Sequence, residues 1–256
     1  MLSGWPLAVV YNEYPVSSLM TGLVSYWPMK EEGGNRLDSF GRSSFVLQNG
    51  VPERITGPFK DSYAAKLRRS SEHWFKAPAS SWQQIGIRSA TWAVWLRFNS
   101  LVVDAGWGAQ AIINLGSGVS NSYLLRYRTS ENALDWFVVR DGGVGSAQAD
   151  DVGLGQPVLN TWYLVWCWND LANKTIGIQT QGYAESTDTY PDSIWNIAEA
   201  TLNLGRQHSA SLGKFAPLDA DVGPIALWHR LLSQSEKDAY YNDGNGLVPE
   251  FLGVPN

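Results

Sequence analysis

The sequence predicts an all-β sandwich closed by one short C-terminal helix, and three observations carry that prediction. Trp162-Tyr163-Leu164-Val165-Trp166-Cys167-Trp168 is apolar without alternation, as a strand buried on both faces must be, and it runs into the turn-forming pair Asn169-Asp170. Gly223 to Leu232 reads as a final strand that delivers the chain to Ser233, an N-cap with Glu236 three residues on, the spacing of a capping box. Elsewhere short β-rich runs recur between Gly-, Ser- and Asn-rich turns, with little helical periodicity.

Taken in order, residues 1–21 carry Trp5, Pro6, Tyr11, Tyr14 and Pro15 but neither helical nor sustained strand periodicity. They are expected to form an extended arm whose anchors, Trp5, Tyr11 and Tyr14, pack on their own domain or dock on another subunit. A single domain then spans residues 22–246, with a tail at 247–256. Strands are predicted at Leu23 to Met29, Phe45 to Leu47, Tyr63 to Leu67 and His73 to Phe75. Thr91 to Phe98 alternates, with Trp92, Val94, Leu96 and Phe98 on one face, and so predicts a half-buried strand. Further strands are predicted at Ala111 to Leu115, Tyr123 to Arg128 and Leu134 to Val139. A Gly-rich loop follows over 141–155, and then Trp162 to Trp168 pairs as a hairpin with Thr175 to Gln179. The closing helix covers Ser233 to Tyr241 and ends near Asn242-Asp243-Gly244.

Composition excludes several function classes. The 256 residues can bury a large core without staples, and a net charge of −5 supplies no basic stripe for a phosphate backbone. Nucleic acid is therefore not an expected partner. The single cysteine, Cys167, lies in the most apolar strand and reads as a small buried hydrophobe. No stretch approaches the ~18 apolar residues of a membrane span, and the first basic residue, Lys30, comes too late for a signal peptide.

Several motifs resemble those of the laminin-G-like jelly rolls in the concanavalin A-like lectin and glucanase superfamily, over about Leu23 to Gly246. They are the opening Leu23-Val24-Ser25-Tyr26-Trp27, the turn Arg36-Leu37-Asp38-Ser39-Phe40-Gly41, Trp162 with Val165 and Asp170, and Leu202-Asn203-Leu204-Gly205-Arg206. The last is Val222 to Glu236, with Ile225, Leu227, Trp228, Arg230, Leu232 and Ser233 in register, followed by Tyr241-Asn242-Asp243-Gly244-Asn245-Gly246. Where members of this family bind calcium, loop carboxylates are frequent ligands. The acidic position of the last strand is Gly223 here, followed by Pro224, which puts an inherited calcium site in doubt. Asp38, Asp219 and Asp221 remain as candidate ligands, although six to eight converging oxygens would be needed. Isolated surface carboxylates are the preferred reading, and no cofactor is required.

Catalytic signatures are missing. A retaining glucanase needs two carboxylates about 5 to 5.5 Å apart, which along a strand means alternate acids, and no E-x-D-x-E run occurs. Glu31-Glu32 and Asp150-Asp151 are adjacent pairs, which point to opposite faces. No G-x-S-x-G elbow is present, and His73, His208 and His229 lack motif context. The expectation is a protein that is not an enzyme.

The positive chemical signal is aromatic, with 13 Trp and 11 Tyr. Most are expected in the core, but Trp82, Trp107, Tyr190 and Trp195 fall in predicted loops, where aromatic faces stack on sugar rings. The terminal motif also resembles versions in bacteriophage structural proteins. The first reading is therefore a virion surface protein, a capsid decoration or tail-associated jelly roll with a capsid or tail partner, forming a homo-oligomer. The alternative is a carbohydrate-binding module or lectin that holds a glycan through loop aromatics.

Overall fold

The computed structural model describes residues 16–103, 108–117, 120–139, 145–194, 196–197, 199–207 and 216–247. Fifteen strands are β1 Leu23–Trp27, β2 Val46–Asn49, β3 Glu53–Thr56, β4 Tyr63–Leu67, β5 Trp74–Ala77, β6 Ala90–Phe98, β7 Ala109–Ser117 and β8 Ser120–Arg128, then β9 Ala133–Val139, β10 Ser146–Asp150, β11 Trp162–Asp170, β12 Thr175–Thr180, β13 Ser186–Thr189, β14 Thr201–Leu204 and β15 Ala220–Trp228. Two short helices, α1 Val16–Met20 and α2 Gln234–Tyr241, flank them. No helix among the described residues is long and apolar enough to cross a membrane.

The strands form two antiparallel sheets packed as a sandwich. One runs β13-β12-β11-β6-β15-β4-β3 with β1 also on β15, and the other runs β10-β9-β8-β7-β14-β5-β2. Between them the alternate residues Trp92, Val94, Leu96 and Phe98 of β6 meet Tyr123, Leu125 and Tyr127 of β8 and Trp136 of β9. Trp92 and Trp136 lie within 6 Å of Tyr123, with centroids 5.9 and 5.1 Å away, so aromatic contacts tie the sheets together. Cys167 is buried here, as expected, and burial pushes its thiol pKa up.

The other face of β6 departs from the sequence expectation. Ala93 and Trp95 are buried in a second apolar cluster with Trp166, Trp228, Leu19, Phe59, Leu232 and Tyr240, so β6 is covered on both faces rather than one. The cover comes from α1 and α2, elements remote in sequence. At the end of the expected arm the chain is not extended: residues 16–20 are helical, Leu19 is buried, and the Trp228 indole Nε1 donates to the Leu19 carbonyl at 2.7 Å. Trp5, Tyr11 and Tyr14 lie outside the described residues.

The closing helix forms as its sequence requires. Ser233 Oγ accepts from the Glu236 amide at 3.3 Å, the Glu236 carboxylate accepts from the Ser233 amide at 2.9 Å, and Asn242 ends the helix in the left-handed region at φ 50°. At Gly223-Pro224 the register of β15 shifts against β6. On its other edge, β4 pairs up to Val222 and β1 takes over from Ile225. A Cβ at Gly223 would lie 2.9 Å from Trp95 Cβ, so a side chain there would have to displace its neighbours.

Candidate functional site

Of the loop aromatics expected to face solvent, Trp82 does so, with 39% of its surface exposed. It sits in a short 3-10 turn, Ser81–Gln83, that Ser80 caps by accepting from the Trp82 amide at 3.3 Å. The Gln83 side chain donates to Ser43 Oγ and to the Pro78 carbonyl, and the Gln83 carbonyl accepts from the Tyr123 hydroxyl at 3.0 Å. Trp82 therefore stands on a turn bonded both to the core and to the neighbouring loop.

That neighbouring loop presents Arg42. Its turn is organised by Asp38, whose carboxylate accepts the backbone amides of Tyr26, Phe40, Arg42 and Ser43 at 3.0 to 3.1 Å. Arg42 donates to the Val24 carbonyl at 3.0 Å, and its guanidinium carbon lies 4.3 Å from the centre of the Trp82 ring and 5.4 Å from that of Phe40. His229, the residue after β15, stacks on Trp82 with centroids 5.7 Å apart and an interplanar angle of 14°.

Hydrogen bonding fixes the state of His229. Its Nε2 lies 2.8 Å from the Trp82 carbonyl, which can only accept, and its Nδ1 lies 2.9 Å from Arg88 Nη1, which can only donate. The ring is thus a neutral imidazole with its proton on Nε2. Burial is the main cause that lowers its pKa, and the Arg88 and Arg42 charges add to it. Among the described residues neither Arg42 nor Arg88 has an acidic partner. Sequence reading missed both arginines and gave His229 a structural role, because only the fold brings positions 42, 82, 88 and 229 together.

Tyr190 is corrected from a sugar-facing residue to a support. It is 1% exposed, its hydroxyl donates to Asn169 Oδ1 at 2.6 Å, and burial pushes its pKa up to about 12. Asn169 Nδ2 in turn donates to the carbonyls of Ile85 and Arg88 at 2.9 and 3.1 Å, so Tyr190 braces the loop that carries Arg88 from behind. Trp107, Trp195 and His208 lie outside the described residues.

The three candidate calcium ligands do not converge. The Asp38 carboxylate is occupied by amides beside Tyr26, which pairs with Ala226, whereas Asp221 lies five residues earlier on β15, roughly 15 Å away along the strand. Asp221 is fully buried and accepts from Arg97 at 2.6 and 2.8 Å, from Arg68 at 3.0 Å and from Asn99 at 3.2 Å. Asp219 stands 3.9 Å from Arg68, and burial raises its carboxyl pKa. Among the described residues no three His, Cys, Asp or Glu side chains are grouped to hold a metal ion.

One carboxylate pair escaped sequence reading because its members sit on different strands: Asp135 of β9 pairs directly with Asp150 of β10. Asp135 is fully buried and accepts from Arg126 Nε at 2.9 Å and Nη2 at 3.1 Å, while Asp150 accepts from Arg128 Nη2 at 3.0 Å. Both acids are tied to arginines across the sheet, an arrangement that stabilises strand pairing, while burial raises the Asp135 carboxyl pKa above its ordinary value.

No family model matches the chain, and no curated protein does. Solved structures do. The binding domain of botulinum neurotoxin DC, in complex with SialylT, matches with a TM-score of 0.61 and 11% identity over 88% of this chain and 52% of that one. A botulinum neurotoxin type C structure, concerned with cell entry dependent upon two ganglioside molecules, matches with a TM-score of 0.64 and 9% identity over 90% and 53%. Trypanosoma rangeli sialidase, in complex with 2,3-difluoro-KDN, gives 0.55 and 15% over 89% and 34%. The chain thus spans about half the length of the botulinum domains, and it shares with all three a β-sandwich fold.

Proposed function

We propose that this protein is a non-enzymatic carbohydrate-binding module, with its site at the Trp82 end of the sandwich. The observation that carries the reading is the exposed Trp82 indole, held on a braced turn and surrounded by the hydrogen-bonding groups of Arg42, Arg88 and His229. An indole edge beside planar donors offers a sugar both an apolar contact and directional hydrogen bonds. The glycan ligands named for the structural neighbours support the reading. So does the engagement of Asp135, Asp150 and Asp221 by arginines, which gives the carboxylates structural work.

The test is a glycan array probed with the wild-type protein and with Trp82→Ala. Binding to a defined glycan class that drops at least tenfold in the variant, with the melting temperature of the domain retained, supports the proposal. A wild-type protein that binds no glycan overturns it.

The virion reading rests on the terminal motif and on the expected arm at residues 1–21, and the finer laminin-G-like assignment on the motifs between Leu23 and Gly246. Docking of that arm on a capsid or tail protein needs anchors outside the described residues, and no observation in the fold favours it over glycan binding.

A further inference from the structure

We propose that the cluster of Arg42, Trp82, Arg88 and His229 selects an acidic saccharide, taking the carboxylate of a sialic or uronic acid residue. The inference rests on the carbohydrate-binding reading and names the ligand class of that same site.

The first argument is charge. The protein carries a net charge of −5, and most of its described arginines that lie near acids are paired, such as Arg230 with Glu236 at 2.7 Å, Arg97 with Asp221 at 2.6 Å and Arg126 with Asp135 at 2.9 Å. Arg42 and Arg88 break that pattern. Arg42 lies over the exposed indole and Arg88 is bonded to the His229 ring stacked on it; the two donate only to the neutral acceptors Val24 O and His229 Nδ1 and have no acidic partner among the described residues. Two cations left without counter-charge at one spot on an acidic surface form a local positive field that attracts an anion.

The second argument is donor capacity. A guanidinium has five N–H donors, and Arg42 and Arg88 each use one in the hydrogen bonds described. The Arg88 Nε is buried, so its fork is the outer pair Nη1 and Nη2; this pair and the remaining N–H groups of Arg42 match a carboxylate in bidentate geometry. His229, with both ring nitrogens engaged, is neutral and adds no opposing charge. Arg230, next in the chain, is neutralised by the two oxygens of Glu236.

The third argument is shape. Trp82 at 39% exposure supplies an apolar edge beside Arg42 and the Arg88-bonded His229 ring, and Phe40 lies beyond Arg42. A free inorganic anion would use the charge and leave the indole unused. A sugar acid presents a carboxylate and a ring with apolar C–H faces a few ångströms apart, and it engages both.

The test uses the whole protein and isothermal titration with 3′-sialyllactose, lactose, glucuronic acid oligosaccharides and sodium phosphate at matched ionic strength, alongside the glycan array. Variants are Arg42→Gln and Arg88→Gln, with Arg42→Lys and Arg88→Lys to retain charge without the planar fork, each checked for an unchanged melting temperature. The expected result is binding of the acidic glycans that falls at least tenfold in either Gln variant and by a smaller factor in the Lys variants, with lactose binding weak throughout. Neutral glycans bound with unchanged affinity by the Gln variants would overturn the inference and leave the carbohydrate reading standing. Binding of no glycan at all overturns both. Displacement of a bound sialoside by phosphate at equal concentration would reduce the site to charge recognition and overturn the choice of a saccharide carboxylate.

Discussion

Neutralising Glu236 tests how the C-terminal helix is fastened to the sandwich. Its carboxylate accepts from Arg230 at 2.7 and 2.9 Å and from the Ser233 amide at 2.9 Å, and these bonds, led by those from Arg230, hold its pKa down at about 2 against an ordinary 4.5. Arg230 also donates to the Ser18 and Thr21 carbonyls, each at 2.6 Å, so one ion pair joins α2 to the segment around α1. A shift of that size corresponds to about 3.4 kcal/mol. The side chains keep 25% and 18% exposure, and solvent screening reduces the expected contribution to about 1.5 kcal/mol. Because the folded pKa is the lower one, the contribution is complete above pH 4.5 and disappears as pH falls towards 2. Glu236→Gln keeps the shape and removes the charge. Urea unfolding is therefore expected to show a loss of about 1.5 kcal/mol at pH 7 and less than half of that at pH 3. A loss that stays constant across this range, or no loss at pH 7, would refute the assignment of stability to the charge.

Two further outcomes follow from packing and from turn chemistry. Gly177 lies flat under the Trp168 indole, where a Cβ would fall inside contact distance, and Lys237 covers that ring with its Nζ 4.0 Å from the centroid. Gly177→Ala is expected to displace the indole and cost about 1–3 kcal/mol in urea unfolding, and an unchanged midpoint would show that the ring has room to move. Asp38→Ala strips the acceptor from four amides of a partly buried turn, an expected loss of about 3 kcal/mol, or roughly 6 °C or more in melting temperature. EDTA is expected to leave the wild-type melting temperature unchanged, and a drop on chelation would return Asp38, Asp219 and Asp221 to the role of metal ligands.

The sequence discloses those parts of the fold whose patterns are local. Tyr63–Leu67 forms the predicted strand, Trp162–Asp170 pairs with Thr175–Thr180 as the predicted hairpin, and the Ser233–Glu236 spacing produces its capping box. Glu53–Thr56 and Ser186–Thr189 escape because they are largely polar, partly exposed edge strands with no buried face to impose alternation. Ser146–Asp150 is hidden in a Gly-rich run, where two alanines supply its inward face. The double burial of β6 depends on helices distant in the chain. The site divides in the same way: Trp82 in a polar loop is legible as exposed, whereas Tyr190, beside Pro191 and Asp192, looks like a surface residue until Asn169 and its two carbonyl partners come into view.

The shared edge of β15 has a consequence for how the chain is made. Leu23 pairs with Trp228 and Lys66 with Asp221, so β1 and β4 wait for a partner strand that lies far downstream in the chain. Until then β1 and β4 lack this partner, and one side of β6 is bare. Such an order makes for slow, non-local folding and a nascent chain with apolar strand edges open to misassociation. The break at Gly223-Pro224 lets this single downstream strand close on β1, β4 and β6 at once, so three strand pairings form in one step.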